Sequence, residues 1–159
     1  MMPRGPMPAV AKAFETISTA QVSKSAALAK EMMFLKASDG ITMNRDRLLA
    51  DAKAKALSLV DGYKAPEKPT FRLPGESGRT GIAGVVDGFR KKGMATEYDE
   101  VVSGRLATVL TGGEADLVDT VQEDDLLTLE RAAFMEAVRD PRTQARVQQM
   151  LTTGKPLRN

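Results

Sequence analysis

The stretch Gly62–Gly78, GYKAPEKPTFRLPGESG, constrains this chain more than any other. It holds Pro66, Pro69 and Pro74 among charged residues. Proline lacks the N–H that a helix interior or a central strand must donate, and it biases the residue before it away from helix. No continuous helix or buried strand is therefore expected to cross this stretch. The pattern predicts a linker over residues 62–77, dividing a first region (1–61) from a second (78–159).

Both regions have helical spacing. In residues 8–20, Val10, Phe14 and Ile17 share one face. Ser23 or Ser25 can cap a second helix over AALAKEMMFL, and Asp39-Gly40 marks a turn. Ile41–Met43 suits a short strand. Asn44 is placed to cap a helix over Arg45–Val60. There Leu48, Leu49, Ala52, Ala56 and Leu59 form the expected buried stripe, with Arg47–Asp51 and Asp51–Lys55 as outer ion pairs. Gly62 is expected to close that helix.

In the second region Ile82, Val85, Val86 and Phe89 recur at i, i+3, i+4 and i+7. Gly81, Gly84 and Gly88 share another face. Each costs a helix about 1 kcal/mol relative to Ala, which predicts a close-packed neighbour there. Thr96 with Asp99 has the pattern of a capping box opening EYDEVVSGRLATVL, which Gly112-Gly113 ends. A further helix is expected over Glu123–Arg139. Asp140-Pro141 offers an N-cap and a proline at the first position of a last helix, with Gly154 and Pro156 after Thr153. The expected fold is mainly α. Only 4% of residues are aromatic, which favours close helix packing over a β-sandwich core.

Composition removes several kinds of chemistry. There is no Cys and no His, so no thiol, His-based triad or His-ligated metal is expected in this chain. The net charge of +2 gives no strong pull toward nucleic acid. The opening MMPRGPMPAV lacks the apolar core of a signal peptide, and no apolar run reaches the roughly 20 residues of a membrane helix. The expected location is cytoplasmic.

Four groups of residues are candidates for a site. The run Leu73–Thr80, LPGESGRT, imitates a phosphate-binding loop. Such a loop reads G-x-x-x-x-G-K-[ST]. Here Leu73 takes the first glycine's place, Arg79 the lysine's, and Pro74 removes a cradle N–H. A proline-stiffened turn into a helix is expected, with Gly78 and Arg79 at an N-terminus that can attract an anion weakly. Lys155 and Arg158 in the closing GKPLRN are the other phosphate candidates, set against a plain helix cap. Glu130 stands among Leu126, Leu127, Ala133 and Phe134. A carboxylate in an apolar stripe needs a partner, and Arg146 or Arg158 is expected to supply a structural ion pair. Glu123, Asp124 and Asp125 read as first-turn acids that complement the helix dipole.

Two long runs carry a resemblance. AFETISTAQVSKSAALAKEMMFLKASDGITMNRDRLLADAKAKALSLVDGY is similar to the end of a crotonase-type domain, and DDLLTLERAAFMEAVRDPRTQARVQQMLTTGKPLRN resembles a C-terminus. Both resemble one class of bacterial enzyme of fatty-acid β-oxidation, in which a 3-hydroxyacyl-CoA dehydrogenase precedes an enoyl-CoA hydratase. Ala26–Met33 matches a helix of that family, Phe34-Leu35 part of a turn, Ile41–Met43 its short strand and Arg45–Val60 its last helix. Met33 stands where the family usually has Gly, and Lys24 where it has a small hydroxyl residue.

The resemblance implies crotonase-type C-terminal helices, joined by the proline-rich linker to a small helical bundle. It implies a C-terminal piece that covers or braces the hydratase and carries no catalytic residue or metal ligand of its own. NAD and acyl-CoA are implied for the full-length family and no cofactor for this chain. The implied partner is the missing dehydrogenase/hydratase core, or a second copy through self-association. A free-standing helical adaptor using the apolar faces of residues 8–60 is the alternative. A small module holding a CoA phosphate on Arg79, Lys155 or Arg158 is the third reading.

Overall fold

The computed structural model describes residues 7–159; residues 1–6, and with them most of the leader reading, lie outside the described residues. The fold is mainly α. Its helices are α1 (Met7–Ser18), α2 (Ala26–Glu31), α3 (Leu48–Leu57), α4 (Gly75–Lys91), α5 (Glu97–Leu110), α6 (Glu123–Arg139) and α7 (Pro141–Thr153). Two short strands, β1 (Thr70–Phe71) and β2 (Val121–Gln122), pair antiparallel with Phe71 opposite Val121.

The chain divides into two compact units. One joins the segment ending at Ala20 to Lys68–Asn159; the other is Gln21–Glu67. This differs from the division at residues 62–77 expected from the prolines. Val10 and Phe14 of α1 are buried with Ile82 and Val86 of α4 and Ala107 of α5, so α1 belongs to the C-terminal bundle. Nor is 70–77 a linker. Phe71 is paired in a sheet, Leu73 packs on the core and α4 has begun by Gly75. Pro74 sits at the helix N-cap, where a missing N–H costs nothing.

Gly75 explains why LPGESG can turn so tightly. Its φ is +55°, and a Cβ there would lie 2.2 Å from the Ala115 carbonyl oxygen. Its N–H donates to Thr111 O at 2.9 Å. Along α4, Ile82 and Val86 are buried as expected, while Val85 and Phe89 stay largely exposed. The face of Gly81, Gly84 and Gly88 is not the tight one: a Cβ at Gly84 or Gly88 would meet nothing within 4 Å. The close approach falls at Gly78, where a Cβ would lie 3.2 Å from Thr111 Cγ2.

Capping chemistry fixes the remaining helices of this unit. In α5 the Thr96 N–H donates to Asp99 Oδ2 at 2.8 Å and the Asp99 N–H to Thr96 Oγ1 at 3.1 Å, a reciprocal box. The Arg142 N–H donates to Asp140 Oδ1 at 3.0 Å at the start of α7, and Gly154 ends α7 at φ 67°.

The unit 21–67 is differently built. Ser25 Oγ accepts the Leu28 N–H and starts α2, which stops at Glu31, short of the expected AALAKEMMFL. Met33 then takes φ 61°, the left-handed conformation that favours glycine. Lys30 Nζ donates to the carbonyls of Ala37 at 2.9 Å and Asp39 at 2.6 Å, closing the next loop. Ile41–Met43 forms no strand, because nothing pairs with it among the described residues.

Asn44 Oδ1 accepts the Asp46 N–H and caps a 3-10 turn, Arg45–Arg47, that leads into α3. The helix ends at Leu57 rather than Val60. Arg47 reaches Asp51 at 3.4 Å, but the other Asp51 oxygen accepts the Thr42 hydroxyl, and no Asp51–Lys55 pair forms. The expected buried stripe is overturned: Leu48, Leu49, Ala52, Ala56 and Leu59 are all exposed, Leu49 at 81%. Ala29 is the one buried residue of this unit.

Candidate docking site

The polar centre of the bundle is Arg146 on α7. Its Nη1 lies 2.8 Å from Asp99 Oδ1, its Nε donates to Asn159 Oδ1 at 2.7 Å, and its Nη2 donates to Thr96 Oγ1 at 3.3 Å. The same guanidinium stacks 4.9 Å from the centre of the Tyr98 ring, and Arg142 lies over that ring at 4.2 Å. Tyr98 is 1% exposed, and its hydroxyl shares a 2.5 Å hydrogen bond with Thr143 Oγ1. Asn159 Nδ2 donates back to Arg142 O at 3.2 Å. The closing GKPLRN is thus folded onto α7.

Two carboxyls are held in their charged forms here. Burial pushes the Asp99 carboxyl upward, but the Thr96 N–H, Arg146 and the Thr96 hydroxyl outweigh it and leave it below 3.8. The bidentate Arg142 guanidinium lowers Asp140 to about 2, against opposing desolvation. All three nitrogens of the Arg146 guanidinium are engaged, so this node is a brace and not a waiting anion site.

The expected site residues fall elsewhere than the sequence suggested. Glu130 is exposed and pairs with neither Arg146 nor Arg158; among the described residues it has no ion-pair partner. The reason lies in the rotation of α6. Its half-buried residues are Leu126, Leu129, Ala133 and Ala137, and Leu127 and Phe134 face outward, so Glu130 stays at the water boundary.

Arg158 donates to Met94 O at 3.0 Å, in the turn between α4 and α5. Arg79 is held by Glu114 at 3.1 Å and by Gly113 O at 3.4 Å. Lys155 is exposed just beyond α7. Arg79 and Arg158 are thus anchored at separate places, and Lys155 joins neither. At the α4 N-terminus the adjoining cavity is lined by Glu76, Glu114 and Asp116, which repel an anion. Glu123, Asp124 and Asp125 do occupy the first turn of α6, with Asp125 completing a cap to the Gln122 N–H and Asp124 taking Lys68.

Sequence reasoning missed the Tyr98 stack and the Asp99–Arg146–Asn159 chain. Arg142 and Arg146 at i, i+4 were the available signal, but their common target was 44 residues away from the nearer of them.

Of the open apolar clefts among the described residues, one borders the Arg146 node and another borders α6. The first, of about 520 Å³, lies between the end of α1, α4 and α5, with Asp99 and Arg146 at its edge. The second, of about 470 Å³, runs between α5 and α6. Its walls include Leu106, Val109, Leu110, Leu126, Leu127 and Phe134. Neither brings together a nucleophile and a base. Such broad apolar surfaces suit contact with another protein surface. Among the described residues no helix is long and apolar enough to cross a membrane.

This chain is similar to a probable 3-hydroxyacyl-CoA dehydrogenase of Bacillus subtilis (strain 168), with 43% identity over 155 residues. The match takes in 97% of this chain and 20% of that protein, so the chain spans about a fifth of its relative's length. No family model and no solved structure matches.

Proposed function

We propose that this chain is a non-catalytic docking region of a 3-hydroxyacyl-CoA dehydrogenase/enoyl-CoA hydratase of fatty-acid β-oxidation. The observation that carries the reading is the exposure of Leu48, Leu49, Leu57, Leu59 and Val60 in a unit with one buried residue. An exposed apolar patch of this kind marks a surface that another protein covers. The relative supports the identity of that cover, since four-fifths of its length lies outside the match. In this reading, NAD and acyl-CoA are bound by the rest of the enzyme. The chain itself supplies apolar area and the braced bundle.

The test is co-expression of the chain with the remaining four-fifths of a dehydrogenase of this kind. Co-purification is expected, together with NAD reduction by a hydroxyacyl-CoA that the chain alone does not support. Turnover by the isolated chain overturns the non-catalytic reading. A monomeric chain that ignores the rest of the enzyme overturns the docking reading.

A further inference from the structure

The groove between α5 and α6 has a property that the cleft beside Arg146 lacks. In the Arg146 cleft the charged residues Asp99 and Arg146 satisfy each other at 2.8 Å, so nothing there selects a partner. In the α5/α6 groove the lining charges are Arg105, Glu123 and Glu130. Arg105 is turned toward Glu136 at 3.8 Å and Asp140 at 4.0 Å. Glu130 has no ion-pair partner among the described residues; Glu123 lies near Lys68, which is paired with Asp124, and both glutamates are exposed. They stand at i and i+7 on α6, which puts them on one side of the helix about 10 Å apart along its axis. Between and beside them Leu127 is 54% and Phe134 63% exposed.

We propose that this groove seats an amphipathic helix whose apolar face is flanked by two basic side chains two turns apart. A helix laid in the groove covers Leu106, Leu126, Leu127 and Phe134 with its apolar stripe. Its basic residues at i and i+7 meet the two carboxylates of Glu123 and Glu130, which fixes the register of the docked helix. An acidic helix of the same apolar pattern is rejected, because it brings like charges against both carboxylates as water leaves the groove. The inference belongs to the bundle and does not rest on the 21–67 surface, so either reading can fail without the other.

The test uses the full chain, isotope-labelled, and two synthetic helices of about 18 residues, long enough to hold helical form. Both share one Leu face; one carries Lys at the two flanking positions and the other Glu. The Lys helix is expected to shift the amides around Leu106, Leu126 and Phe134, to bind about tenfold more tightly than the Glu helix, and to weaken as salt is raised. The double variant Glu123→Lys/Glu130→Lys, which alters only exposed side chains, is expected to invert the preference. Equal binding of the two helices, binding by neither, shifts confined to other surfaces, or an unchanged preference in the double variant each overturns the proposal.

Discussion

The bundle and the 21–67 unit use the same helix-capping vocabulary and reach different ends. Both open helices with Ser, Thr, Asn or Asp caps, and both close turns with residues at positive φ. In the bundle those helices bury Val10, Phe14, Ile82, Val86 and Tyr98. In 21–67 they bury Ala29 and leave Leu48, Leu49 and Leu57 in water. Local helix signals therefore set where helices start in both regions. They decide nothing about whether a helix has a neighbour to pack on. A short helix gains most of its stability from tertiary packing rather than from propensity.

The widest gap between the two regions should appear on truncating their apolar residues. Phe14→Ala and Ile82→Ala each remove a buried side chain and are expected to lower stability by about 2–5 kcal/mol. Leu49→Ala is expected to change it by less than about 0.5 kcal/mol in the isolated chain. Chemical denaturation of the three variants reads the difference. A Leu49 effect as large as that of Ile82 would mean that α3 is covered in solution.

Glycines sharpen the comparison next. Gly75 and Gly62 both have positive φ, but only Gly75 has a carbonyl oxygen where its Cβ would go. Gly75→Ala is expected to cost at least about 2 kcal/mol, since strain and collision act together. Gly62→Ala should cost about 1 kcal/mol from the left-handed backbone alone. Similar shifts of Tm for the two would show that the 111–116 turn moves away freely from α4.

The Arg146 brace should weigh less than the apolar core. Arg146→Ala is expected to cost about 1–3 kcal/mol, because a partly exposed Asp99 loses its charged donor and Asn159 its anchor. Faster hydrogen exchange should accompany it at Thr96–Glu100 and leave 21–67 unaffected. Uniformly faster exchange across both regions would break the separation.

Acid gives the smallest effect. The Asp99 and Asp140 carboxyls ionise more readily in the fold than in the open chain. Their contribution is complete above the open-chain value of 3.8 and is lost as pH falls, for Asp140 toward about 2. Stability of the wild-type bundle should therefore decline from about pH 4 downward. An Asp99→Asn/Asp140→Asn variant should decline less steeply. Parallel acid profiles for the two proteins would remove these carboxyls from the account.

Much of the helix framework was legible in the sequence because the signals are local. Thr96 and Asp99 stand three residues apart and close a ring by themselves. Asp140-Pro141 sets an N-cap and a first turn without help, and Gly154 ends α7 because it tolerates the left-handed backbone. The limits of α5, α6 and α7 follow from such pairs. The candidate site was less legible. The spacing puts Glu130 inside an apolar stripe only if Leu127 and Phe134 face inward, and a modest rotation of α6 turns that stripe into the wall of an open groove.

The sequence by itself determined that this chain is helical, the limits of α5, α6 and α7, and the left-handed end of α7 at Gly154. Those choices depend on bonds and clashes within a few residues. Tertiary structure alone decided that α1 joins the C-terminal bundle, that LPGESG is a packed corner and not a linker, that Arg146 serves Asp99 and Asn159, and that the leucines of α3 stay uncovered. Each of these depends on surfaces far apart in the chain. A hydrophobic stripe states that burial is favourable, but it does not name the surface that provides it.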